Sequence, residues 1–129
     1  MKTVALSLIG ALSFIPLGAK SESLIVKSGE HEEFTRLVVS LPKGAIWNVK
    51  KNDRDVVLNV ENHVDGFDTS SVFDRIPKTR LAKISQEPDE LNLELGCKCE
   101  VSTFEVKGQF AVIDIREAAI SSDLGAAGQ

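Results

Sequence analysis

The sequence has no tyrosine, one tryptophan, one methionine, two histidines and two cysteines among its 129 residues. Little of the usual catalytic alphabet is therefore present. There is no Gly-x-Ser-x-Gly elbow, no His-Glu-x-x-His pair and no phosphate-binding loop. The acid–base and nucleophile sets of an enzyme are not visible, so a non-enzymatic protein without a cofactor is expected. A basic excess is also lacking: 15 Lys+Arg stand against 19 Asp+Glu, a net charge of −4. That balance argues against a nucleic-acid-binding protein and against a polybasic membrane-surface protein. No segment repeats at a fixed period. What is present is 43% hydrophobic and 26% charged, the profile of one globular domain.

The N-terminus has its own pattern. Met1-Lys2-Thr3 carries a positive charge, and Val4 to Leu17 carries none. Pro16 and Gly18 then interrupt any helix ahead of Ala19-Lys20-Ser21. This is the order of a secretory signal over residues 1–21, with Ala19 and Ser21 as the small pair at the cut. Cleavage after Ala19 is the other option and puts Leu17 at the outer small position. The apolar run, about 15 residues, is shorter than the roughly 20 that span a bilayer. An uncleaved anchor or a buried N-terminal helix is the competing reading. No cysteine stands at the cut, so the signal is not of the lipoprotein kind. Removal of residues 1–21 leaves 13 basic residues against 19 acidic, a net of −6, and no transmembrane span. The expected location is the periplasm or exterior of a bacterium.

From Leu24 onward the apolar residues recur mostly with period two. Leu24-Ile25-Val26 reads as a first strand closed by Ser28-Gly29. In the run from Phe34 to Leu41, the alternate set Leu37, Val39 and Leu41 faces a core, while Arg36 and Ser40 face water. Trp47-Asn48-Val49 begins a strand, and Lys51 to Arg54 is a polar connection of hairpin length. Val56, Leu58 and Val60 resume the alternation, as does Leu91-Asn92-Leu93-Glu94-Leu95. Phe104 to Ile115, turning at Lys107-Gly108-Gln109, reads as a closing hairpin. One segment differs. Asp68 to Ser71 offers N-caps for a short helix over Val72 to Ile76, which Pro77 terminates. Lys78 to Ser85 fits either a strand or a continuation of that bridge. The fold class is therefore all-β: a small β-sandwich over residues 22–117 with one short bridging helix. Residues 118–129, rich in alanine and glycine, read as a flexible tail or the start of a linker.

Phe34-Thr35-Arg36-Leu37-Val38-Val39 and the closing Phe110-Ala111-Val112-Ile113-Asp114-Ile115 resemble AMIN-type modules of bacterial envelope proteins. The chain is also similar to secreted alphaproteobacterial proteins carrying Ser-Gly-Glu-His, Gly-Phe-Asp and Gly-Cys-x-Cys. Those motifs are here Ser28 to His31, Gly66 to Asp68, and Gly96 to Cys99. The AMIN resemblance implies a β-sandwich and a binding role, with peptidoglycan or an envelope protein as partner. It also implies localisation of an attached or associated effector at the cell wall.

Few residues are left as candidates for chemistry. Cys97 and Cys99, two apart, would share one face of a strand. A local disulfide, a soft-metal site and a redox pair all remain open there. In a flat strand their spacing of about 7 Å exceeds what a bridge spans, so a bridge requires a bend that Gly96 could supply. His31, among Glu30, Glu32 and Glu33, and His63, near Asp65 and Asp68, are weak metal candidates or solvated surface residues. Arg75, Lys78 and Arg80, with Lys83, form a basic patch that suits an anionic polymer or is a charged face of the helix and its exit. Trp47 either stacks on a sugar or belongs to the core. The alternative to an envelope-binding module is a periplasmic metal-binding or thiol-redox protein built on the Cys-x-Cys pair.

Overall fold

A computed structural model describes residues 23–62 and 65–118. The expected signal segment 1–21, His63 and residues 119–129 of the expected tail lie outside the described residues. Nine strands and one helix follow in order: β1 (Leu24–Glu30), β2 (Thr35–Ser40), β3 (Trp47–Asn52), β4 (Asp55–Val60), β5 (Phe67–Asp68), α1 (Val72–Arg75), β6 (Leu81–Glu87), β7 (Glu90–Leu95), β8 (Cys99–Val106) and β9 (Phe110–Glu117). They make two sheets, one in the order β5-β1-β2-β9-β8 and the other β3-β4-β7-β6. All pairings are antiparallel except the short parallel contact of β1 with β5.

Alternation explains which side of each strand is covered. Val26, Leu37, Val39, Ile113 and Ile115 from the five-stranded sheet meet Val56, Leu58, Val60, Leu91, Leu93 and Leu95 from the other. All are buried, and this shared core makes the fold a β-sandwich. Leu37, Val39, Val56, Leu58 and Leu93, at alternating positions read from the sequence, are part of it, and Leu41 packs against its margin. The chain crosses between sheets after β2, β4, α1 and β7. Side chains latch the two open sides. On one, Gln86 of β6 accepts from the Phe67 amide at 2.7 Å and donates to its carbonyl at 2.6 Å. On the other, the Trp47 indole of β3 donates to Glu105 of β8 at 2.6 Å.

Several local expectations are corrected. The first strand does not close at Ser28-Gly29; it pairs with β2 through Glu30, because the turn is made beyond it, where the His31 amide donates to the Phe34 carbonyl. The β3–β4 turn is only Asp53-Arg54, since Lys51 and Asn52 pair with Val56 and Asp55. Residues 81–87 belong to a strand, not to the bridge. The closing hairpin turns where Lys107 and Gly108 take φ of 54° and 63°, the left-handed values that suit a tight hairpin.

The helix is short, as Pro77 requires, but no side chain caps it in the expected manner. Ser71 occupies the N-cap without a side-chain hydrogen bond. Asp68 instead accepts from the amide and hydroxyl of Ser70 at 3.0 and 2.7 Å. Those bonds hold the Asp68 carboxyl below its ordinary range. Their contribution is present above the ordinary carboxyl pKa and is lost as pH falls through the lowered value.

Candidate functional site

The cysteines form a disulfide, Cys97–Cys99. They do not share a strand face as the spacing alone suggested. Cys97 precedes β8 and Cys99 opens it, with a bend over residues 96–98 that brings the two Cα atoms to 5.1 Å. The Gly96 amide donates to the Arg80 carbonyl at 2.9 Å, and Cys99 Sγ lies 3.9 Å from the same oxygen. The bridge closes a ring with one intervening residue, for which the loop-entropy relation gives roughly 1–2 kcal/mol. Replacing both cysteines by serine is therefore expected to lower stability by about that amount in urea titration. A loss above about 4 kcal/mol would mean that the bridge organises far more than its own bend.

The basic patch of the sequence is divided. Arg80, with its side chain 11% exposed, is committed inward. Its guanidinium donates to Glu30 and to the His31 carbonyl from Nη1, at 3.0 and 3.2 Å, and to the Glu32 carbonyl from Nη2 at 3.0 Å. Its Nε is buried without a hydrogen-bond partner, 3.8 Å from Glu117. Arg80 thus ties the β1–β2 turn to the start of β6 and the end of β9. Lys78 lies over the Phe73 ring at 5.0 Å, on the helix exit. Arg75 is exposed and looks onto an open depression of about 600 Å³ between β1 and α1. Lys27, Ser28, Ser71 and Asp74 complete its lining. Ser28 Oγ donates to the Val72 carbonyl at 2.6 Å, which seats the helix against β1. Among the described residues neither Lys27 nor Arg75 makes an ion pair.

A second cluster lies on the outward side of the five-stranded sheet. Arg36 binds the buried Asp114 through two hydrogen bonds, Nε to Oδ1 at 2.7 Å and Nη2 to Oδ2 at 2.9 Å. Those bonds raise the guanidinium pKa above its ordinary value, against the opposing pull of desolvation. The Arg36 Cζ sits 5.1 Å from the Phe34 ring and 5.4 Å from the Phe104 ring, and Arg116 lies over Phe34 at 5.3 Å. His31 stacks on Phe34 with ring centroids 4.4 Å apart. Arg36 is thus half-buried in a charge and ring network rather than simply facing water. Trp47 packs against the core while its indole reaches Glu105.

Among the described residues, no group of three or more His, Cys, Asp or Glu side chains is placed to hold a metal ion. His63 falls outside them. No described helix is long and apolar enough to cross a membrane. Sequence reasoning did not single out Lys27, Ser28, Ser71 and Asp74, because β1 and α1 are brought together only in the fold. Phe34, Arg36, Phe104 and Arg116 had a signal: the unbroken apolar runs Leu37-Val38-Val39 and Phe110 to Ile113 indicate strands covered on both faces. Compared with known proteins, the chain matches no family model and no curated protein.

Proposed function

We propose that this protein is an exported, non-enzymatic binding module of the bacterial envelope, with the depression between β1 and α1 as its ligand site. The observation that carries the reading is the composition of that depression. Two cations without ionic partners among the described residues, Lys27 and Arg75, line an open depression together with the carboxylate of Asp74 and the hydroxyl of Ser71. Such a set suits a ligand that carries carboxylates, amines and hydroxyls together, as the glycan strands and peptide stems of peptidoglycan do. The AMIN-like strands and the signal-like residues 1–21 support the same compartment. A disulfide is also at home outside the reducing cytosol.

Sedimentation of the purified protein with purified peptidoglycan tests the reading. The parent protein is expected in the pellet, and added salt should release it, because the contacts are ionic and exposed. Lys27→Glu with Arg75→Glu should weaken retention about tenfold, the equivalent of 1.4 kcal/mol. Parent protein left in the supernatant, or equal retention of the double variant, would overturn the assignment of this site.

A further inference from the structure

The Cys97–Cys99 bridge sits on a bend that does not need it. The Gly96 amide donates to the Arg80 carbonyl at 2.9 Å, and the Ala118 amide donates to the Lys98 carbonyl at 3.1 Å. Cys99 itself lies opposite Glu117 in the β8–β9 ladder. Backbone contacts thus fix both sides of the bend, whether the sulfurs are joined or apart. The coupling of bridge to fold is weak in return. A ring with one intervening residue removes little freedom from the unfolded chain, and the fold holds the bridge closed only as strongly as the bridge holds the fold. Such a bridge opens more readily than one that closes a long loop. The two sulfurs also stand in different surroundings. Cys97 is half-buried between the exposed Gly96 and Lys98, whereas Cys99 is buried in the core. Cys99 Sγ lies 3.9 Å from the Arg80 carbonyl oxygen. A bridged sulfur carries no proton, so this contact becomes a hydrogen bond only when the bridge is open and Cys99 is a thiol. The open state gains a bond that the closed state lacks.

We propose that Cys97–Cys99 is a thiol-exchange site that oxidises a dithiol, a chemistry separate from binding at the β1–α1 depression. A thiolate of the dithiol attacks Cys97 Sγ, the more accessible sulfur. The new sulfur–sulfur bond forms as the Cys97–Cys99 bond breaks, and Cys99 leaves with the electron pair and takes up a proton. As a thiol it donates to the Arg80 carbonyl, which disfavours its return attack. The second thiolate of the dithiol then attacks the sulfur bound to Cys97 and expels Cys97, which is protonated in turn. Two electrons have passed to the bridge, the dithiol has become a disulfide, and its two protons rest on Cys97 and Cys99. The backbone contacts of the bend persist, so the exchange leaves the sandwich intact. One chain oxidises one dithiol, and the reaction is stoichiometric.

Measurements on the purified protein test this without involving the depression, so their failure leaves the peptidoglycan reading untouched. Mixed without air with a reduced two-cysteine peptide, the oxidised protein should yield oxidised peptide, up to one equivalent per chain. Cys97→Ser combined with Cys99→Ser should yield none. In about 10 mM reduced glutathione with about 0.1 mM of its disulfide, more than about half of the chains should be open at equilibrium, because a structural bridge withstands that buffer. Alkylation then identifies the attacked sulfur. Cys97, left alone in Cys99→Ser, should react at least about tenfold faster than Cys99 left alone in Cys97→Ser. Circular dichroism should show the same sheet content in open and closed chains. A bridge that stays closed in the glutathione buffer, a peptide that stays reduced, or a sheet lost on opening would overturn the exchange site. Lone thiols that react equally fast would overturn the assignment of Cys97 as the sulfur attacked.

Discussion

Leu58→Ala is expected to melt at least about 8 °C below the parent protein, from a loss of about 2–5 kcal/mol. Leu58 is fully buried on β4, between Val49 of β3 and Leu91 of β7, and faces the other sheet across the core. Its removal leaves a cavity that β-strands, held by ladders on both sides, close poorly. The domain is small, so one such site is a large share of its total stability. The neighbour Val57 provides the comparison: it points to the polar outer face, and Val57→Ala should cost well under half as much. An unchanged melting curve for Leu58→Ala would contradict the register of β4, because a shift of one residue exchanges those two faces.

Gly96→Ala is expected to cost about 2–4 kcal/mol although it adds a single methyl group. A β-carbon there would run into the Thr79 carbonyl oxygen and stand 3.1 Å from that of Lys78. Both obstacles are backbone, so neither can rotate aside. Displacing them would break the Gly96-to-Arg80 hydrogen bond and pull on the residue that holds the β1–β2 turn. Gly44→Ala separates this from conformational cost alone. Gly44 has φ of 73° with open space around it, so alanine there meets only left-handed strain, about 1–2 kcal/mol. Thermal melts of the two variants compare the effects directly. Equal, small losses would mean that residues 78–79 do not approach Gly96 closely.

Gly96 also shows how far the sequence could be read. The spacing of Cys97 and Cys99 makes a bend necessary for any bridge, and the bend in the structure begins at Gly96. Its physical role was not legible, because the constraint comes from residues 78–79, beyond a connection whose path the sequence left undecided. The strands and their inward faces were legible for a simple reason: a period of two survives wherever one face is wet and the other dry. The reading weakened where that condition fails. Val38 and Val112 sit outward yet are covered, so alternation could not report on their face. The candidate cations fared unevenly on similar grounds. Arg75, Lys78 and Arg80 are neighbours in the chain, but Arg80 is drawn inward by Glu30 and two carbonyls across about 50 positions of sequence, a contact no local pattern encodes. The depression that Arg75 does line depends on Lys27, which lies far earlier in the chain, on β1.

The pairing of β2 with β9 has a temporal consequence. Thr35 lies against Ile115 and Ser40 against Phe110, so the middle of the five-stranded sheet joins the beginning of the described chain to its end. A ribosome that has made everything up to β8 has not yet supplied the strand on which β2 and β8 both rest. Such distant pairings are formed late, after the entropy of closing a long loop has been met. The four-stranded sheet can therefore be complete while the five-stranded sheet still waits for β9, so the second half of the sandwich is the last to close.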